Sequence, residues 1–195
     1  LVTVTTSSIN IKRIVYIPAT GGDSVSFFDG SFNNLLTDGS FDTWTNATTL
    51  TYWPLTGDGA SLARDVDPIM GTYDAGVTRA GADCYISQSV PMGNILGKTL
   101  MLEGYCWPLA NSRARMLIVD SAGNTASSYF DINNYYRLSV ARAIASDVTS
   151  LSVRMQVDTG NTSAYYDGAI AYTKDQEAHR ITGATTGTDY CDLFS

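Results

Sequence analysis

The chain has little charge for its length. Asp, Glu, Lys and Arg make up 16% of 195 residues, and the balance is acidic, with a formal net charge of −7. Such a chain raises no general cationic field, which excludes a phosphate backbone as its main partner and speaks against an acidic lipid surface. Long apolar runs are also missing: no stretch approaches the roughly 20 residues needed to span a bilayer, and the first residues form neither the basic start nor the apolar segment of a secretory signal. No nucleic acid and no membrane are expected. Histidine is nearly absent. The single copy, His179, sits in a polar run, so it supports no His-based metal cluster and no nucleophile–base pair. Gly57-Asp-Gly59 is not followed by the Lys-Ser/Thr of a phosphate loop. Paired carboxylates for glycoside hydrolysis would have to come from Glu103, Asp120 and Asp158, and nothing in the sequence sets their separation. No enzyme is expected. The three cysteines, Cys84, Cys106 and Cys191, have no metal-ligand spacing and cannot all pair. A Cys84–Cys106 disulfide and two buried free thiols are both compatible with the pattern.

What is abundant points to strands. Gly (17) and Tyr (12) are plentiful beside many Thr and Ser, and a 44% hydrophobic content fills one core. Short segments of period two recur between turn clusters. In 99–107, Leu100, Leu102 and Cys106 alternate with Met101, Glu103, Tyr105 and Trp107. In 113–119, Ala114, Met116 and Ile118 alternate with Arg113 and Arg115. In 151–158, Leu151, Val153, Met155 and Val157 alternate with Ser152, Arg154, Gln156 and Asp158. With 84–90 and 164–172, these predict an all-β antiparallel jelly-roll sandwich. Residues 134–145 read as a brief helix or as a strand. Opposite the inferred core, Glu103, Tyr105, Trp107, Arg113, Arg115, Arg154 and Gln156 would form one patch if their strands were neighbours. Trp53 and the pair Tyr135-Tyr136 would extend it. Aromatic faces with Arg, Gln and Glu suit a sugar ring and its hydroxyls, and equally a protein interface.

Three regions are expected. Residues 1–34 read as an N-terminal β-hairpin arm, with strands in 11–18 and 24–28 around Ala-Thr-Gly-Gly-Asp. Residues 35–173 form the sandwich. Residues 174–195 read as an irregular tail, its apolar end (Tyr190, Cys191, Leu193, Phe194) suited to docking on a neighbour or to plain disorder. A two-stranded ribbon is marginal alone, so the arm invites a partner.

Asn34-Leu-Leu-Thr-Asp-Gly-Ser-Phe-Asp42 followed by Trp44, then Tyr85–Val90, Gly97–Leu102 and Tyr165-Tyr-Asp-Gly-Ala-Ile170, resembles in order and spacing the carbohydrate-binding-module jelly rolls of the family 4/9 type. The pattern departs at Leu100, where an aromatic is usual, and at Gly168, where a second Asp is common. The resemblance implies a structural calcium tying the first motif to the last strand, with Asp42 and Asp167 as its acidic ligands. The run from Ile11 to Gly30 is similar to the opening of small bacteriophage virion proteins. Together these imply a virion structural protein, capsid decoration or cement rather than tail or fibre. It would contact other virion proteins through arm and tail and assemble as a homo-oligomer, for which a trimer is the symmetry expected. The alternative is a glycan-binding module of a secreted or cell-surface protein.

Overall fold

The computed structural model describes residues 11–19, 22–29, 34–81, 83–109, 113–159, 163–174 and 180–184. Their regular elements are all strands. The chain divides into two compact units, 34–173 and 1–33 with 174–195.

In the smaller unit, β1 (Ile11–Ala19) and β2 (Gly22–Asp29) pair antiparallel from Ile11 opposite Asp29 to Ala19 opposite Gly22, the hairpin predicted. β1 is an edge strand, which is where a proline such as Pro18 is tolerated, because no neighbour asks for its missing N–H.

The larger unit begins with a small ribbon, β3 (Trp44–Asn46) and β4 (Thr49–Leu50). The strands β5 (Leu55–Thr56), β6 (Ser61–Asp65), β7 (Asp74–Thr78), β8 (Cys84–Ser89), β9 (Thr99–Pro108) and β10 (Arg113–Asp120) follow. Then come β11 (Gly123–Ala126), β12 (Tyr136–Ala143), β13 (Leu151–Thr159) and β14 (Ser163–Thr173). They form two five-stranded antiparallel sheets, β11-β10-β13-β8-β5 (the β10 sheet) and β12-β9-β14-β7-β6 (the β9 sheet). The sheets pack face to face over one core. Leu100, Leu102 and Cys106 of β9 meet Ala114, Met116 and Ile118 of β10, Val153, Met155 and Val157 of β13, and Ala164 and Tyr166 of β14, all buried. The period-two faces read from sequence are the core faces. Residues 136–143 are a strand, so the helical alternative for that stretch fails: Leu138 and Val140, two apart, are the buried positions, a strand's period. Cys84 and Cys106 are buried free thiols on opposite sheets, pushed up to about 11 and about 12 by burial, which settles the disulfide alternative against a bond.

The opening motif is sewn to the closing strand. Leu35 N donates to Ala171 O at 2.8 Å and Ala169 N to Gly39 O at 2.7 Å. The Asn34 amide accepts from Ala171 N (2.9 Å) and Leu36 N (3.1 Å) and donates to Ala169 O (3.0 Å). Gly39 is required by closeness: a Cβ there would lie 1.9 Å from Ala169 O. Trp53, fully buried against Phe41 with its indole N–H on Asp38 O at 3.0 Å, belongs to this knot and to the core rather than to any surface patch.

β15 (Arg180–Ala184) pairs with β2, from Arg180 opposite Phe28 to Ala184 opposite Ser24, so the tail is not irregular throughout and the hairpin becomes a three-stranded sheet. Ile181 and Thr182 suit a strand, and β2 offered an open edge. His179, Cys191 and the apolar end of the tail lie outside the described residues.

Candidate functional site

The seven residues expected in one patch lie on two faces. Glu103, Tyr105 and Trp107 project from β9 on the outside of the β9 sheet, whereas Arg113, Arg115, Arg154 and Gln156 project from β10 and β13 on the outside of the β10 sheet. Each was correctly placed opposite the core. The single patch fails because β9 and β10, consecutive in sequence, belong to different sheets, and outward from one is away from the other.

The β9 face is aromatic. Trp107 stands opposite Tyr165 of β14 in register, with ring centroids 5.8 Å apart. Tyr135, from the loop before β12, packs on Trp107 at 5.3 Å, and the Trp107 indole N–H is held by Asn133 Oδ1 at 2.6 Å. The Tyr135 hydroxyl donates to Asp74 Oδ2 on β7. Asp74 is 1% exposed, and its second oxygen, Oδ1, is buried with no hydrogen-bond partner. Burial pushes the Asp74 carboxyl above its ordinary range against the lowering effect of the Tyr135 bond, and Asp65 and Asp67 add to the rise. Burial, then the bond to Asp74, drives the Tyr135 hydroxyl far above the usual phenol range. Glu103 is committed: one oxygen pairs with Arg137 and the other accepts the Tyr172 hydroxyl at 3.1 Å.

This face therefore offers three rings at different tilts, which suit the C–H faces of a sugar, over a buried acceptor that has no hydrogen-bond partner. Sequence reading found Trp107 and Tyr105, and listed Tyr135 as an extension of the patch. It missed Tyr165, Asp74 and Arg137. For Tyr165 the doublet Tyr165-Tyr166 hides which ring faces out, and Tyr166, fully buried, takes the inner side. Asp74 gave no signal, because only the fold brings β7 under a loop that precedes β12.

No protein-family model matches this sequence, and no curated protein matches it. Solved structures do. The CBM22-1 xylan-binding domain of Paenibacillus barcinonensis Xyn10C is 12% identical with a TM-score of 0.56 over 72% of this chain and 94% of that one. TmCBM61, solved in complex with beta-1,4-galactotriose, is 11% identical with a TM-score of 0.54 over 73% of this chain and 100% of that one. The enzymatically active domain of Bacteriophage CBA120 tailspike protein 4 is 15% identical with a TM-score of 0.53, over 72% of this chain and 21% of that one. The fold is the carbohydrate-binding-module jelly roll. Modules of families 22, 61 and 16 are among those matched. What the motifs mark in this chain is the knot of first motif and last strand.

In this jelly roll the implied calcium ligands, Asp42 and Asp167, accept backbone N–H groups. Asp42 Oδ1 accepts the N–H groups of Thr72 (2.6 Å) and Tyr73 (3.0 Å), and Asp167 accepts those of Met70 and Gly168, both at 2.6 Å. Both carboxylates grip one loop, 66–73, from two ends. Calcium needs six to eight converging oxygens, and the two carboxylates already accept four N–H groups between them. Among the described residues no three His, Cys, Asp or Glu side chains are grouped to hold a metal ion. As placed, the residues do not fit a calcium shell. Gly168, which departs from the acidic pattern, has φ +59°, inside the irregularity where the β14–β9 register shifts. An Asp there would be strained. Burial pushes Asp167 up to about 7, partly countered by the backbone donors it accepts.

Proposed function

We propose that the protein is a non-catalytic glycan-binding module that takes a neutral, β-linked oligosaccharide on the outer face of the β9 sheet. One observation carries the reading: the Trp107–Tyr135–Tyr165 ring cluster lies beside Asp74, whose buried Oδ1 lacks a donor. Rings needed only for stability would be drawn into the core, yet these stay half-buried on an outer face. Bound sugar stacks on Trp107 and Tyr165, and a hydroxyl supplies the missing proton to Asp74 once Tyr135 lifts. Glu103, fixed by Arg137 and Tyr172, shapes the floor. Support comes from the fold, which the chain has in common with a xylan-binding domain and with a module solved with beta-1,4-galactotriose. The test is calorimetric titration with xylo- and galacto-oligosaccharides. We expect saturable binding that Trp107→Ala weakens by on the order of tenfold, about 1.4 kcal/mol. No heat from either series, or an unaltered isotherm for the variant, sinks the reading.

A second reading has its own support. A phage tailspike domain has the same fold, and the β1-β2-β15 sheet adds to the jelly roll a strand-rich piece of the kind used to join neighbouring chains. Here the protein is a virion component, in capsid decoration or cement, that oligomerises through that piece. Sedimentation of the full chain beside residues 34–173 decides it: if each runs at the mass of its own monomer, the virion reading is disposed of and the glycan reading is left standing.

A further inference from the structure

We infer that the opposite side of the sandwich, the outer face of the β10 sheet, is a second binding surface, for the carboxylates of a uronic-acid-bearing polysaccharide. Three arginines gather there on a chain that is acidic as a whole. Arg113 and Arg115 project from β10, and Arg154 projects from β13, on the next strand and opposite Leu117. They are laid on aromatic rings. The Arg113 guanidinium lies 3.8 Å and the Arg115 guanidinium 4.6 Å from the Tyr129 ring centroid, and Arg154 lies 4.3 Å from that of Tyr85. Stacking uses the flat face of a guanidinium, so each head is held in place without spending its N–H edge on the ring.

Among the described residues neither Arg113 nor Arg154 forms an ion pair. Arg115 has one distant carboxylate, Asp158 at 3.7 Å, a long bond to Gln156 Oε1 at 3.5 Å, and a buried Nε with no partner. Asp158 is itself engaged by the Tyr129 hydroxyl. The other acid of this face, Asp83, accepts from Gln156 and pairs with Arg79 at 3.8 Å. Two guanidiniums are therefore left without a counter-charge. A planar guanidinium fork matches a planar carboxylate through two parallel N–H···O bonds, which is the reason for choosing a carboxylate ligand.

The choice of polysaccharide over acidic protein rests on what the face lacks. A protein interface needs an apolar centre to bury. On this face Tyr129 is already covered by arginine, and Leu117, the central outward residue of β10, is 5% exposed. A flat strip of cations along paired strands instead suits an extended polymer with a charge on successive units.

The experiment uses the full chain and polygalacturonate as probe, followed by affinity electrophoresis and titration at low ionic strength. Binding is expected, weakening as salt rises. Uncharged dextran should not bind, and dextran sulfate and polyglutamate should bind at least tenfold more weakly than polygalacturonate. Arg113→Gln alone, at the exposed end of the strip, should lower affinity several-fold, and Arg113→Gln with Arg154→Gln at least tenfold. The paired Lys variants should lose most of that too, since charge without the fork is insufficient. Trp107→Ala should leave polygalacturonate binding unchanged, and the Gln variants should keep any neutral-glycan binding, so failure on one face is separable from failure on the other. Absence of binding at low salt, equal binding of polyglutamate or dextran sulfate, or indifference to the double Gln substitution overturns the inference.

Discussion

Asp167 concentrates several demands in one carboxyl. It is 1% exposed, faces the outer side of the β9 sheet opposite Tyr105, and anchors loop 66–73 through Met70. Burial moves it from 3.8 in the unfolded chain to about 7 in the folded one. Between those values the unfolded chain has released a proton that the folded chain keeps, so stability falls as pH rises across that window and is fully present only below 3.8. Asp74 acts in the same direction. Asp120 acts oppositely: the hydrogen bonds from Arg142 hold its carboxyl below 3.8, so its contribution is lost as pH drops beneath that value. We therefore expect maximal stability at about pH 4 and a decline from there toward pH 7. Urea unfolding across that range is the measurement. A flat profile contradicts the assignment, and Asp167→Asn should remove most of the slope.

At the scale of elements, the sandwich is pinned at one edge by a pair that joins the sheets. Arg142 of β12, in the β9 sheet, donates from Nε to Asp120 Oδ2 (2.7 Å) and from Nη2 to Oδ1 (2.8 Å) of β10, in the other sheet, and also to Thr125 of β11 (3.0 Å). Removing the arginine strands a buried carboxylate, so Arg142→Ala should cost about 3 kcal/mol, whereas Arg142→Met with Asp120→Leu should recover most of it. Denaturant midpoints for the two proteins check this, and equal losses would refute the clamp. How much of this was legible follows from what strands encode. Alternation fixes which side chains of one strand face in, so Leu100, Leu102 and Cys106 could be placed on the core from sequence alone. Alternation does not say which sheet a strand joins. Hence Trp107 and Arg115 were set on one patch although they face opposite ways, and the Arg142–Asp120 clamp, which crosses between sheets, left no trace. For Asp42 and Asp167 the motif marks the knot without saying whether N–H groups or a cation satisfies its acids.

For the whole molecule, every described core side chain lies within 34–173, including the knot that closes the unit. We expect a fragment of those residues to unfold in one cooperative transition with native-like near-ultraviolet circular dichroism. A gradual, non-cooperative melt would show that the flanking sequence is needed to complete the core. The bond from Leu35 to Ala171 has a further consequence. It leaves the first and last residues of the unit side by side, so the chain goes in and comes out at nearly the same point. A domain wired in this way is a pendant: spliced into a surface loop of an unrelated carrier, it asks that loop to part by only a few residues' width, and neither fold has to be stretched to carry the other.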